Sequence, residues 1–292
     1  MADPAVRVSV PADLAEPAGA FLYDLLGPFQ ELSEEGVSIL VFYPFRHGAG
    51  YVEDEQILAA LPTWIADVAG IERVLVPGGW EESWRRHFSP VTLGRVRVRP
   101  PWEEALGEDF EGLVEVVLNP GLAFGTGLHP TTRGMLRLIQ NVPATGPAVD
   151  VGTGSGILAI AASRLGFSPV LALDNDPQAV QAARGNAALN DADISVVHLE
   201  SAELPPERFR SALVMANITL EPVADLLRRL PVGAKDRSGT ELSVRRVLVA
   251  GILSGGQEDA VGRIAAERGL RVVARIYERE WVALDLIPEG RR

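Results

Sequence analysis

Residues 147–166, PAVDVGTGSGILAIAASRLG, run from a short apolar stretch through closely spaced glycines into an alanine- and leucine-rich segment. The first part reads as a buried strand, the last as a helix, and Asp150-Val-Gly-Thr-Gly-Ser-Gly156 as the turn between them. Gly152 and Gly154 let the backbone approach a ligand, and Gly156 lets the helix pack on the sheet. The chain beyond Gly166 repeats the pattern. PVLALD (169–174) is a second strand, and DPQAVQAARGNAALN (176–190) is a helix with Pro177 in its first turn. ISVVHL, SALVMAN and VRRVLVAGIL are further strands, while LEPVADLLRRL and QEDAVGRIAAERG are helices with one apolar face. Alternating strands and helices make an α/β, doubly wound sheet. The end breaks the alternation. LRVVARIYE and REWVALDLI, from 270 to 287, leave no room for a helix between them. They form a hairpin, so one final strand runs antiparallel to the rest.

Upstream, residues 1–77 show the order β-α-β-β-α-β. VRVSV (6–10) alternates as a half-buried strand does, and a helix is expected over 13–27. FQEL and VSILVFYPF are split by the turn SEEG, and a helix over 55–70 is broken near Pro62. This is a small ferredoxin-like α+β domain with no obvious chemistry, assigned to substrate recognition, with a packing role as the alternative. Residues 78–106 carry Trp80, Trp84, Phe88 and Trp102 among prolines and arginines. They are assigned to a linker, with part of a substrate-facing cleft as the alternative, and 107–292 to a catalytic domain.

Composition narrows the chemistry. The 292 residues carry a formal charge of −12 and no cysteine. Thiolate nucleophiles, disulfides and cysteine-held metals are excluded. The acidity argues against broad nucleic-acid binding and fits a basic partner or none. The four histidines are scattered without metal-ligand spacing, so no metal is expected. Lys235, the only lysine, lies in a polar run unsuited to Schiff-base work. MADPAVRVSV is not a signal segment and no apolar run is long enough for a membrane span, so a cytoplasmic location is expected.

The glycine turn is shared by dinucleotide and adenosylmethionine enzymes. In either class Asp174, at the end of the second strand, can accept hydrogen bonds from both ribose hydroxyls. Its alternative role, capping the next helix, suits Asp176 better. The spacing G-x-G-x-G departs from G-x-G-x-x-G, and the closing hairpin is the methyltransferase variant of this sheet; both disfavour a NAD-dependent dehydrogenase. Asn217 ends the fourth strand, where open α/β sheets bind ligands. Its side-chain carbonyl could orient a substrate amine, or the residue could simply cap the following helix.

The stretches NPGLAFGTGLHPTT (119–132), VDVGTGSGILAIAA, ALDNDPQAVQAARGNAALN, MANI, GILSGGQ and REWVALDL resemble the PrmA family, the methyltransferases of large-subunit ribosomal protein 11. The likeness is continuous from about residue 78. It implies S-adenosylmethionine as cofactor, and methylation of lysine side chains and an α-amino group on the ribosomal target. The family's cofactor residues fall here on Thr132, Gly152, Asp174 and Asn217, with Phe124 and Gly125 in the same pocket. Thr131 and Gly154 beside them complete the candidate set, and Asn217 is the candidate catalytic residue. By the same resemblance 119–132 folds over the methionine end of the cofactor. Asn119, Leu128 and Thr153 stand where the family usually has Asp, Thr and Cys, and the loop 232–246 is longer. Rival readings are another basic protein or a small amine as substrate, and a non-catalytic module that keeps the cofactor fold.

Overall fold

The structure is a computed structural model that describes residues 3–26, 29–34, 36–42, 52–76, 89–105, 107, 112–119, 129–235 and 238–290. The chain divides into two compact units, Met1–Phe88 and Ser89–Arg292.

In the first unit the strands are β1 (Asp3–Pro11), β2 (Phe29–Glu34), β3 (Val37–Phe42) and β4 (Gly70–Val76), and the helices α1 (Ala15–Leu26), α2 (Asp54–Ala60) and α3 (Thr63–Ala66). The sheet order β2-β3-β1-β4, with all three pairings antiparallel, is that of the ferredoxin-like pattern. Val6, Val8 and Val10 project from one face of β1 and are buried with Leu22, Leu26, Ile57 and Ile65, as a period of two requires. The helix expected over 55–70 is two helices. Pro62 separates them and caps the second, because its ring lacks the N–H that a continuous helix needs.

The second unit begins with a small sheet, β5 (Val91–Leu93), β6 (Val96–Arg99) and β7 (Val114–Val117), in that order. Val91–Leu93 and Val96–Arg99, within the stretch assigned from sequence to a linker, are thus strands of this unit. Arg97 and Arg99 both reach Glu115 on β7, at 2.7 and 2.6 Å. Trp80, Trp84 and Phe88 lie outside the described residues.

The main sheet contains β8 (Ala148–Val151), β9 (Val170–Asp174), β10 (Ser195–His198), β11 (Leu213–Asn217), β12 (Arg246–Leu253), β13 (Leu270–Glu278) and β14 (Trp281–Pro288). Their spatial order is β10-β9-β8-β11-β12-β14-β13. All neighbours are parallel except β14, which runs antiparallel to both β12 and β13. The order reverses at β8, whose flanks are β9 and β11. Around the sheet stand α4 (Pro130–Ile139), α5 (Ile157–Leu165), α6 (Pro177–Leu189), α7 (Leu220–Arg229) and α8 (Gly256–Glu267). Alternate residues of the central strands feed two cores. Leu213, Met215, Leu248 and Ala250 join Leu136 and Ile160 on one side, while Val214, Ala216, Val247 and Val249 join Val223 and Leu227 on the other. Both faces are covered, so these strands read as unbroken apolar runs.

Candidate functional site

In an open α/β sheet the crevice forms beyond the carboxyl ends of the strands, where the order reverses. Here that point lies between β8 and β11, and three of the sequence candidates converge on it. The turn 152–156 leaves β8, Asp174 ends β9 and Asn217 ends β11.

Asp174 and the turn are directly joined. The Gly154 N–H donates to Asp174 Oδ2 at 2.9 Å, and the Asp176 N–H to Oδ1 at 3.0 Å. Capping of α6 falls to Asp176, which accepts from Gln178 N at 2.8 Å, as its place before Pro177 foretells. Each Asp174 oxygen therefore holds one backbone donor and retains a lone pair for another. Beside it, Asn175 Nδ2 donates to Glu200 Oε1 at 3.0 Å, and His198 Nε2 lies 2.8 Å from the Asn175 carbonyl. Sequence reasoning named His198 only among the scattered histidines and singled out none of the three for the site.

Asn217 meets Thr132. Its Nδ2 donates to Thr132 Oγ1 at 3.2 Å, while its Oδ1 is enclosed with no hydrogen-bond partner among the described residues. Thr132 is fully buried on α4. Thr131 is turned elsewhere, with its hydroxyl 2.7 Å from Nδ1 of His129, the residue that caps α4. The His129 ring in turn meets Trp281 edge-on, centroids 5.4 Å apart. Phe124 and Gly125 lie outside the described residues.

Two features that sequence reasoning missed hold Asn217 and the turn in place. Ile218 sits between Gly152 and Gly251. A Cβ on Gly152 would stand 2.4 Å from Ile218 Cγ2, and one on Gly251 would stand 2.3 Å from the Ile218 carbonyl oxygen. Both glycines have positive φ, +69° and +83°. The sequence signal for Gly251 was a glycine inside an apolar strand, which marks a bulge or a close backbone approach; the β12–β14 register does shift between Val249 and Ile252. The second feature is Asp150, 1% exposed beneath the turn. Thr153 Oγ1 donates to its Oδ2 at 2.7 Å and Ala159 N at 3.2 Å, while Oδ1 has no hydrogen-bond partner among the described residues. Burial raises its pKa to about 7, the two hydrogen bonds oppose that rise, and the nearby charge of Asp174 adds to it.

The family model described as "Ribosomal protein L11 methyltransferase (PrmA)" matches residues 70–287. The chain belongs to the ribosomal protein L11 methyltransferase family. It is 40% identical over 213 residues to the ribosomal protein L11 methyltransferase of Geobacter sulfurreducens, covering 72% of this chain and 67% of that one. The corresponding protein of Geobacter metallireducens is 39% identical over 270 residues, 81% of this chain and 89% of its own. Among solved structures, a ribosomal protein L11 methylase from Lactobacillus delbrueckii subsp. bulgaricus superposes with a TM-score of 0.60 at 30% identity, over 70% of this chain and all of that one.

Membership makes the chain an S-adenosylmethionine-dependent methyltransferase, and the residues fit that cofactor. A carboxylate with spare acceptor capacity ends β9, glycine backbone stands next to it, and an unpartnered amide oxygen ends β11. Among the described residues no helix is long and apolar enough to cross a membrane, and no cluster of side chains could hold a metal ion.

Proposed function

We propose that the chain methylates amino nitrogens, lysine side chains and an α-amino group, on large-subunit ribosomal protein L11, and does so in the cytoplasm. The Geobacter relatives are methyltransferases of that protein, and the net charge of −12 suits a basic partner rather than nucleic acid. The observation that carries the chemistry is the Asn217 amide. With its Nδ2 occupied by Thr132, its enclosed Oδ1 is left as an acceptor with no partner among the described residues, at the carboxyl end of β11.

When bound, S-adenosylmethionine would supply a methyl group already activated on a positively charged sulfur, for transfer to the lone pair of a neutral amine with the C–S electron pair left on sulfur. What remains for the chain's own residues is positioning and exclusion of water, which can supply several kcal/mol, with ~7–11 kcal/mol as the upper range. Asp174 would hold the ribose hydroxyls, and the backbone of Gly152 and Gly154 would lie along the cofactor. Thr132 and Asn217 would stand at its methionine end; for Phe124 and Gly125, outside the described residues, the same place is what the family resemblance implies. Asn217 Oδ1 would accept an N–H of the neutral target amine and aim its lone pair at the methyl group. An amide is no base, so the proton that the target ammonium must first lose is assigned to water.

Residues 1–77 are proposed to select the target. The candidate cofactor residues all lie in the second unit, and the family model begins only at residue 70. The test is mass spectrometry of a full set of ribosomal proteins after incubation with the enzyme and labelled S-adenosylmethionine. Label on L11 lysines and an α-amino group is the expected result. Label confined to another basic protein, or transferred only to small amines, would overturn the assignment while leaving the methyltransferase intact.

A further inference from the structure

Two asparagines at the carboxyl end of α6, Asn186 within it and Asn190 capping it, make a set of contacts that methyl transfer itself does not use. Asn186 and its neighbour one turn on, Asn190, are each 2% exposed. Asn190 treats β7 as an adjacent strand would: its Oδ1 accepts from Val117 N at 2.7 Å and its Nδ2 donates to the Val117 carbonyl at 2.6 Å. A second bond from Nδ2 reaches the Asn186 carbonyl at 2.7 Å. Asn186 reaches farther. Its Oδ1 accepts from Asn119 N at 2.9 Å, and its Nδ2 donates to the Ser155 carbonyl at 2.8 Å. One amide group thus fixes two backbone points from distant parts of the chain. Ser155 lies inside the glycine turn, and Asn119 is the first residue of the NPGLAFGTGLHPTT stretch.

Burying two amide side chains is costly unless their hydrogen bonds are made. Helix packing alone would be served by alanine, as at Ala183 and Ala187 on the same face. What an alanine could not do is satisfy Asn119 N and Ser155 O together. These two groups lie outside the regular hydrogen bonding of helix and sheet. The amide matches them because it presents a donor and an acceptor from one planar group.

We propose that Asn186 is a positioning residue for S-adenosylmethionine, holding the glycine turn at Ser155 in register with the chain at Asn119. The proposal rests on reading the turn as one wall of the cofactor site. Asn190, which touches β7 and the Asn186 carbonyl but not the turn, serves packing alone.

Asn186→Asp separates the two roles. It keeps an acceptor for Asn119 N but faces a carboxylate oxygen toward the Ser155 carbonyl. At alkaline pH the folded variant should bind S-adenosylmethionine about tenfold or more weakly than wild type in titration calorimetry. Burial at this 2% exposed position, beside the Ser155 carbonyl, raises the pKa of the introduced carboxyl; as it protonates it regains a donor, so the gap should narrow steadily as pH falls toward 5.5. Asn190→Ala should lower the melting temperature yet keep affinity within about threefold. Should Asn186→Asp fail to fold at alkaline pH, Asn186→Ser, which can satisfy only one of the two groups and carries no charge, should show the weakening at all pH values. Wild-type affinity in the folded Asn186 variants would overturn the proposal. So would an Asn190→Ala loss as large as theirs. Asp174→Ala, measured alongside, reports on the cofactor wall itself: if it binds normally, the site reading fails, independently of what Asn186 does.

Discussion

Asn217 Nδ2 donates to Thr132 Oγ1 at 3.2 Å, joining residues 85 positions apart at the carboxyl end of β11. That bond decides which end of the amide is left over. With the nitrogen occupied, the oxygen becomes the acceptor offered to a ligand, which is the part that a target amine requires. Asn217→Ala should therefore lower kcat by roughly a hundredfold, as loss of a well-aimed bond made in the transition state does. Thr132→Val removes only the constraint on the amide and should cost roughly tenfold. Initial rates with labelled cofactor measure both. If Thr132→Val matched wild type, the amide would not need its partner for orientation.

Asp174→Ala should weaken S-adenosylmethionine binding by about ten- to a hundredfold, the range expected for losing a charge-assisted hydrogen bond. Part of that loss comes from the turn, since the same carboxylate accepts from Gly154 N and Asp176 N. Asp174→Asn keeps an acceptor on a neutral side chain, so it should fall between the alanine variant and wild type. Calorimetric titration of the three proteins gives the order. An unchanged dissociation constant in folded Asp174→Ala would reduce the residue to a brace for the turn and would overturn the reading of this crevice as the cofactor site.

The fold was legible wherever its cause is local. Glycine spacing, strand–helix alternation and the lack of room for a helix between 270 and 287 gave the sheet and its reversed strand. Asp176 before Pro177 gave the cap of α6. The strands at 91–99 were harder, because they are three and four residues long. Their arginines are satisfied by Glu115, which lies beyond a stretch rich in proline and acidic residues. Part of the candidate site was legible in the same local way, as Asp174 and Asn217 end their strands. Ile218 between Gly152 and Gly251 could not be read, since it depends on three strands meeting at one point.

Gly251→Ala tests that meeting. The new Cβ would stand 2.3 Å from the Ile218 carbonyl oxygen, at a φ of +83° that an L side chain rarely adopts. Strain of this kind costs about 1–3 kcal/mol and lowers the melting temperature. Because Ile218 follows Asn217 directly, relief of the clash should also displace the amide, so kcat should fall about tenfold even well below the melting temperature. Gly256→Ala, where nothing lies within 4 Å of the added atom, is the matched control and should leave both quantities near wild type. Equal turnover in the two variants would mean that the chain absorbs the strain away from Asn217.

Asp150 makes stability depend on pH in a direction opposite to that of most carboxylates. Burial raises its pKa from 3.8 to about 7, against the bonds from Thr153 and Ala159. Between those values the folded chain holds a proton that the unfolded chain has released. Stability from this group is therefore fully present below about pH 4, is lost as pH rises toward 7, and stays lost above it. Asp150→Asn keeps an acceptor for Thr153 Oγ1 and Ala159 N and removes the charge. Relative to wild type it should gain little near pH 4 and about 1–3 kcal/mol near pH 8, less than the full linkage because its Nδ2 would stand where Oδ1 has no partner among the described residues. Thr153→Val should act with the opposite sign. It removes a donor that favours the ionised carboxyl, so its cost should grow with pH, and that growth should vanish when it is combined with Asp150→Asn. Denaturant melts of the four proteins at several pH values give the cycle. A stability difference between Asp150→Asn and wild type that is flat with pH would mean that Asp150 remains ionised in the fold, and the growing cost of Thr153→Val would then have to disappear as well.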